Sequence, residues 1–277
     1  MSRQARQRAE SLLFYCLLAV VVLTSLFPIL WVFLTSVKSR FDAFAMPPKW
    51  IFTPTLGNYI EVFRETALLK NLVNSSIIAT LATLVAMLVG VPAAYSYSRF
   101  HFLGRDLIYF AVLLVRMVPP IALALPLFIL FQRFQLIDTH YGLALAYTSF
   151  TTPLAVWLLA GFFADVPEEL EDAARIDGCS RLGALVRVVL PLAAPGLAAT
   201  AIICFVAAWN EFLYAVILAG RHTQTLPVAI QGFVTNRGIN WGRLTAGGFL
   251  ILLPVLLFAM VAQKRLVRGL TGGAVKG

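Results

Sequence analysis

Six apolar runs separated by polar stretches set the plan of this chain. They cover about 12–37, 72–97, 107–131, 141–163, 192–218 and 244–262. A hydrocarbon core about 30 Å thick is crossed by about 20 helical residues at about 1.5 Å each, so each run suffices for one transmembrane helix. The pattern predicts an all-α polytopic membrane protein with six transmembrane helices. No repeat, low-complexity tract or Gly/Ser linker divides it, which predicts a single transmembrane domain over 1–277.

The polar stretches give the expected orientation. Arg3, Arg6 and Arg8 precede the first run, which is too long for the apolar core of a signal peptide and lacks a small-residue cleavage site. It is therefore read as a span with its N-terminus in the cytoplasm. The loop from Lys38 to Lys70 is broken by Pro47, Pro48 and Pro54 and carries Trp50, Phe52 and Tyr59, aromatics suited to an external membrane surface. Twelve Lys and Arg fall on the segments assigned inside. Nine fall outside, or four once the long first loop is left out of the positive-inside comparison. Both termini are expected in the cytoplasm, with 263–277 as a tail anchored by Lys264, Arg265 and Arg268.

Composition agrees with this picture: 60% of residues are hydrophobic and 13% charged, against roughly 45–50% and 25% in ordinary soluble domains. The net charge of +9 is spread over loops and termini without interleaved exposed aromatics, which argues against a nucleic-acid partner. Cys16, Cys179 and Cys204 form neither a disulfide framework nor a metal-ligand spacing. His101, His140 and His222 are scattered over separate loops, and no nucleophile–base pattern points to an enzyme.

One polar island interrupts the apolar plan. Residues 165–191 hold six of the thirteen acids and separate the fourth and fifth runs on the side assigned to the cytoplasm. Asp165 and Glu168 have the spacing of a capping box, and Pro167 fits a first helical turn. The helix is expected to run to Asp177 and stop at Gly178, and Ser180 is placed to cap a second helix ending near Pro191. Ala173 and Ala174 keep one side of the first helix small, so that another protein can approach closely. Glu168, Glu169, Glu171 and Asp172 surround it with negative charge.

A second group of residues is polar where the pattern is apolar. Arg116 and Glu211 fall well inside predicted spans, where a central charge costs at least about 2.5–3.5 kcal/mol and usually faces a cavity or a partner. Both are therefore candidates for a translocation path, either facing it or paired with each other. Asn210 and Trp209 join them: amide, carboxylate and indole together suit a polyhydroxylated solute with apolar C–H faces. Pro92, Pro119, Pro120 and Pro126 are expected to interrupt helical hydrogen bonding, either to line a cavity or to improve packing. These charges also suit an ion-gradient-driven secondary transporter, the alternative reading of the same residues.

Asp172-Ala173-Ala174, Gly178, Val188 and Leu190-Pro191 resemble the cytoplasmic EAA loop of ABC-importer permeases: E-A-A, three residues, G, nine residues, I-x-L-P. The spacing is intact, with Asp172 for Glu and Val188 for Ile. RMVPP in the third run, AAWNEF in the fifth and the C-terminal GLTGGAVKG are similar to the MalG-like carbohydrate branch of this binding-protein-dependent family. The resemblance implies a bacterial or archaeal inner-membrane permease subunit working by alternating access. It implies as partners a second, different permease, two ATPase subunits, an extracytoplasmic solute-binding protein and a sugar. It further implies that Glu171, Asp172, Ala173, Ala174, Asp177, Gly178, Leu190 and Pro191 form the ATPase-coupling element. The loop from Pro227 to Trp241, with Gln231, Asn236, Arg237 and Asn240, is implied to reach toward the binding protein, and the glycine-rich end toward the ATPase. No phosphate-binding G-x-x-x-x-G-K-[ST] motif occurs, so no cofactor is expected on this chain; ATP and Mg would be used by the partner ATPase.

Overall fold

The computed structural model describes residues 3–65, 67–235 and 238–272. Asn236, Arg237 and the last residues of the glycine-rich end, 273–277, lie outside them, as do the side chains of Arg3, Arg6, Arg8, Lys264, Arg265 and Arg268. Among the described residues, four helices are long and apolar enough to cross a membrane: Glu10–Ser36, Leu68–Arg99, His140–Ala164 and Trp241–Phe258. Two bent helix pairs, Arg105–Val115 with Pro120–Arg133 and Arg181–Leu192 with Ala194–Trp209, bring the number to six if each pair is one span.

The third and fifth runs are thus not the continuous helices their apolar length suggests. In the third, the helix stops at Val115, and the chain turns by 89° before Pro120 opens the next helix. Pro119 disfavours the helical conformation at Val118 and, like Pro120, has no N–H to donate, so the ladder cannot pass through. In the fifth, Pro191 and Pro195 flank a 78° bend around Ala193, and a second break at Asn210–Phe212 separates Ala194–Trp209 from the short helix Leu213–Leu218.

The chain divides into two compact units, 1–67 with 230–252 and 68–229 with 253–277. The second unit is built on the Leu68–Arg99, His140–Ala164 and Ala194–Trp209 helices. Alanines and a glycine bring the first two close: Ala79, Ala82, Ala86 and Ala155 are fully buried, and a Cβ at Gly90 would lie 2.9 Å from that of Ala155. Without long side chains between them the backbones approach, as small residues permit inside membranes.

The first unit combines the Arg3–Ser36 helix with the Gly57–Glu65 helix and a two-stranded hairpin, Val234–Thr235 with Gly238–Ile239. Asn58 closes the end of the first helix by donating to the carbonyls of Ser36 and Lys38, each at 2.8 Å. Tyr59 meets Ser36 Oγ at 2.7 Å, and Arg243 pairs with Glu61 at 2.6 Å. Within the expected external loop 38–70, short helices form at Arg40–Ala43 and Gly57–Glu65, joined by an irregular stretch over 44–56.

Candidate functional site

The polar island folds as helix, glycine turn, helix. Glu168–Ile176 carries Glu168, Glu169 and Glu171 in its first turn and Arg175 in its last, the charge order that a helix dipole favours. The expected Asp165 capping box does not form: Asp165 closes the preceding His140–Ala164 helix, and Pro167 occupies the N-cap without a side-chain bond. Proline fixes an extended approach there, which leaves Asp165 too early in the chain to act as the cap.

The helix ends in a Schellman motif, with Cys179 N–H donating to Ala174 O at 3.0 Å and Gly178 N–H to Arg175 O at 3.1 Å. Gly178 adopts φ +90°, a conformation open to glycine and strained for other residues. Ser180 Oγ then accepts from Gly183 N–H at 3.1 Å and caps the second helix. That helix widens into a π-turn at Leu185–Val189 just before Leu190-Pro191. Pro191 has no N–H for an i−4 bond, and a wider turn admits it without ending the helix.

The eight residues of the expected coupling element divide by orientation. Asp172, Ala173, Asp177, Gly178 and Pro191 are exposed, and Ala174 and Leu190 are half-buried. Glu171 points the other way: it is 8% exposed, takes Tyr95 OH on Oε1 and Arg99 Nε on Oε2 at 3.2 Å. The same guanidinium donates to Val166 O at 2.6 Å and lies 3.5 Å from Glu168. Arg99 is itself 6% exposed along its side chain. Glu171 thus ties the island to the end of the Leu68–Arg99 helix and offers no surface to a partner. Leu185 and Val189 of the second helix are buried in one core with Leu159 and Phe163.

Outward, Ile176 (86% exposed) and Leu182 (70%) stand on either side of the glycine turn, next to Asp172 and Asp177. Both are large apolar side chains left uncovered on this chain beside exposed acids.

The translocation-path candidates do not come together. Arg116 is exposed and ends the Arg105–Val115 helix. Glu211 accepts from Tyr214 N–H at 2.9 Å and Ala215 N–H at 3.2 Å, capping Leu213–Leu218. Among the described residues no ion pair joins the two. Asn210 is exposed and returns its Nδ2 to Val206 O at 2.9 Å. Trp209 is 2% exposed and stacks on Phe205 with centroids 5.8 Å apart. The Trp209–Glu211 stretch therefore terminates one helix and starts the next.

Sequence reading missed a second polar centre at the opposite end of the Leu68–Arg99 helix. Asp138, at φ +57°, accepts on Oδ1 from Gly220 N–H at 2.9 Å, Thr223 N–H at 2.9 Å, Thr223 Oγ at 2.8 Å and His222 N–H at 3.1 Å. Asn74 donates to His222 O and Gln224 O and meets His140 Nε2 at 2.8 Å. Burial works to raise the Asp138 carboxyl pKa, but the bonds from Thr223, His222 and Gly220 outweigh it and hold the carboxyl below its ordinary value. A depressed folded value means that stabilisation is complete above the unfolded value near 4 and is lost as pH falls through the folded one. Asp138→Asn should lower the unfolding midpoint in detergent, consistent with about 1–3 kcal/mol for charge-assisted bonds, and should flatten the loss of stability between pH 5 and pH 3. A variant with the wild-type midpoint and acid profile would show that the clasp is not stabilising.

Residues 82–272 match the family model described as "Binding-protein-dependent transport system inner membrane component". The chain is 39% identical over 264 residues to the trehalose transport system permease protein SugB of Mycobacterium tuberculosis, covering 93% of this chain and 95% of that one. It is 37% identical over 268 residues to the trehalose/maltose transport system permease protein MalG of Thermococcus litoralis, covering 93% and 94%. Its fold resembles a chain from a bacterial ABC transporter involved in import of the acidic polysaccharide alginate, with TM-score 0.76 at 22% identity over 95% of this chain and 98% of the other.

Proposed function

The chain belongs to the family of binding-protein-dependent transport system inner membrane components, and from that membership we propose that it is one of two unlike permeases in an ATP-driven carbohydrate importer. The ion-gradient alternative falls with membership in this family. The carbohydrate class rests on relatives whose names specify trehalose and maltose. A single chain supplies a single island, so two ATPase subunits need a second permease to complete the assembly. Both termini and the island lie in the cytoplasm, and the loop holding the Val234–Thr235 hairpin faces the solute-binding protein.

The observation that carries this reading is the division of the island into two faces. Asp172, Ala173, Gly178 and Ile176 face out, while Glu171 is locked to Arg99 and Tyr95. The outer face docks on the ATPase, and the inner latch passes the displacement to the Leu68–Arg99 helix. ATP binding on the partner draws the docked helices together, and the spans reopen toward the other side. ATP and Mg act on the ATPase subunits; this chain contributes the docking face, the latch and half of the pathway. Along that pathway Arg116, Asn210 and Glu211 mark helix breaks that reposition between states, with Trp209 packed behind them.

The test is uptake of labelled trehalose or maltose into proteoliposomes holding the full complex, with binding protein outside. Uptake should require ATP inside and stop when ATP is replaced by a non-hydrolysable analogue. Uptake driven by a proton gradient without ATP would overturn the proposal.

A further inference from the structure

A cavity of about 300 Å³ lies in the first unit beside the end of the Arg3–Ser36 helix, lined by Trp31, Lys38, Asp42, Met46, Pro48 and Trp241, among others. Lys38 is 3% exposed. Its ammonium lies 5.0 Å over the rings of both Trp31 and Phe52, and among the described residues it has no ion-pair or hydrogen-bond acceptor. The nearby Asp42 carboxylate is already engaged by Lys49 Nζ at 2.7 Å and Ser39 Oγ at 2.8 Å. Two aromatic faces stabilise the cation without supplying an oxygen. The ammonium opens onto the cavity, where its charge is also felt by the Asp42 carboxylate, and it keeps donors free for an anionic oxygen.

Depth identifies the source of that oxygen. The apolar helix Glu10–Ser36 has 27 residues, about 40 Å at about 1.5 Å each, against a hydrocarbon core about 30 Å thick. The excess of about 10 Å lets Lys38, two residues beyond the helix, reach headgroup level. Of the lining residues Phe44 is 50% and Met46 96% exposed, and Trp50, 62% exposed, packs edge-on against Trp31 at 5.2 Å, which together give an apolar collar. Cation, aromatic belt and apolar collar follow the order of a phospholipid, from phosphate to glycerol to acyl chain.

We propose that the Lys38 cavity is a binding site for one phospholipid of the leaflet at this end of the first helix, its phosphodiester on the Lys38 ammonium and its first acyl carbons on Met46 and Pro48. This rests on the helix spanning the bilayer and not on which solute is carried, so it stands or falls apart from the transport assay. Native mass spectrometry of the complex in mild detergent should show one more retained phospholipid in wild type than in Lys38→Met. Lys70→Met, which removes an exposed lysine that neither lines the cavity nor bonds a residue lining it, should keep it. After delipidation, wild type should rebind phosphatidylglycerol but not diacylglycerol, a comparison that needs no variant. Equal retention in wild type and Lys38→Met, equal rebinding of diacylglycerol, or displacement by inorganic phosphate would each overturn the proposal, the last by making the site one for a soluble anion.

Discussion

Gly178→Asp should abolish solute uptake while leaving the chain in the membrane at its normal level. The substitution acts twice. At φ +90° a residue with a Cβ is disfavoured by about 1–2 kcal/mol, which loosens the turn that sets the two island helices against each other. It also adds a carboxylate between Ile176 and Leu182, on the surface proposed to dock. A Cβ at this position meets nothing within 4 Å, so the core is untouched and insertion should be normal. Uptake below about a tenth of wild type corresponds to more than about 1.4 kcal/mol of lost docking free energy. Gly178→Ala carries the backbone strain without the charge and should retain an intermediate rate. Ala173→Trp, on the exposed face, should reproduce the full defect by bulk alone. ATPase activity of the complex should cease to respond to loaded binding protein in both severe variants. Normal uptake in Gly178→Asp and Ala173→Trp would reduce the island to a connecting loop.

The parts of this molecule legible in sequence were those with local signatures. Apolar length located the long helices, because crossing a bilayer sets a minimum run of residues. The Gly178 stop and the Ser180 cap were legible because a Schellman turn and an N-cap are completed within a few residues. The latch was not. Nothing in the sequence singles out Arg99 among the charges between runs, and Glu171 reads as one of the acids around the first island helix; their union over 72 positions depends on how the helices pack. Asp138 was missed for the same reason, since its partners lie more than 80 residues away. Pro119 and Pro120 marked the bend in the third run, but apolar length hid the one at Ala193: hydrophobicity reports burial in lipid, while the path of the backbone follows from where proline withholds a donor. Charge inside a run led to Arg116 and Glu211 as possible partners, yet a carboxylate beside a broken helix finds backbone N–H groups first.

Arg99→Met should be the most damaging substitution away from the docking face, and its effects should separate stability from transport. Removing the guanidinium leaves Glu171, 8% exposed, with Tyr95 as its remaining side-chain partner, and breaking a buried pair from one side costs about 3–5 kcal/mol. The unfolding midpoint should fall accordingly. Replacing both members, Arg99→Met with Glu171→Met, removes the stranded charge and should restore at least half of the lost stability, because apolar groups of similar volume often substitute for a buried pair without net loss. Transport should not follow. Directed bonds from Arg99 to Glu171 and Val166 hold the island in register with the Leu68–Arg99 helix, and methionines, flexible and non-directional, let it slide. The double variant should therefore hydrolyse ATP in response to binding protein yet move less solute per ATP than wild type. Full recovery of uptake per ATP in that variant would show that packing alone transmits the motion. An unchanged midpoint in Arg99→Met would show that Glu171 finds water when its partner leaves, and the latch would then be a surface contact with little hold on the span.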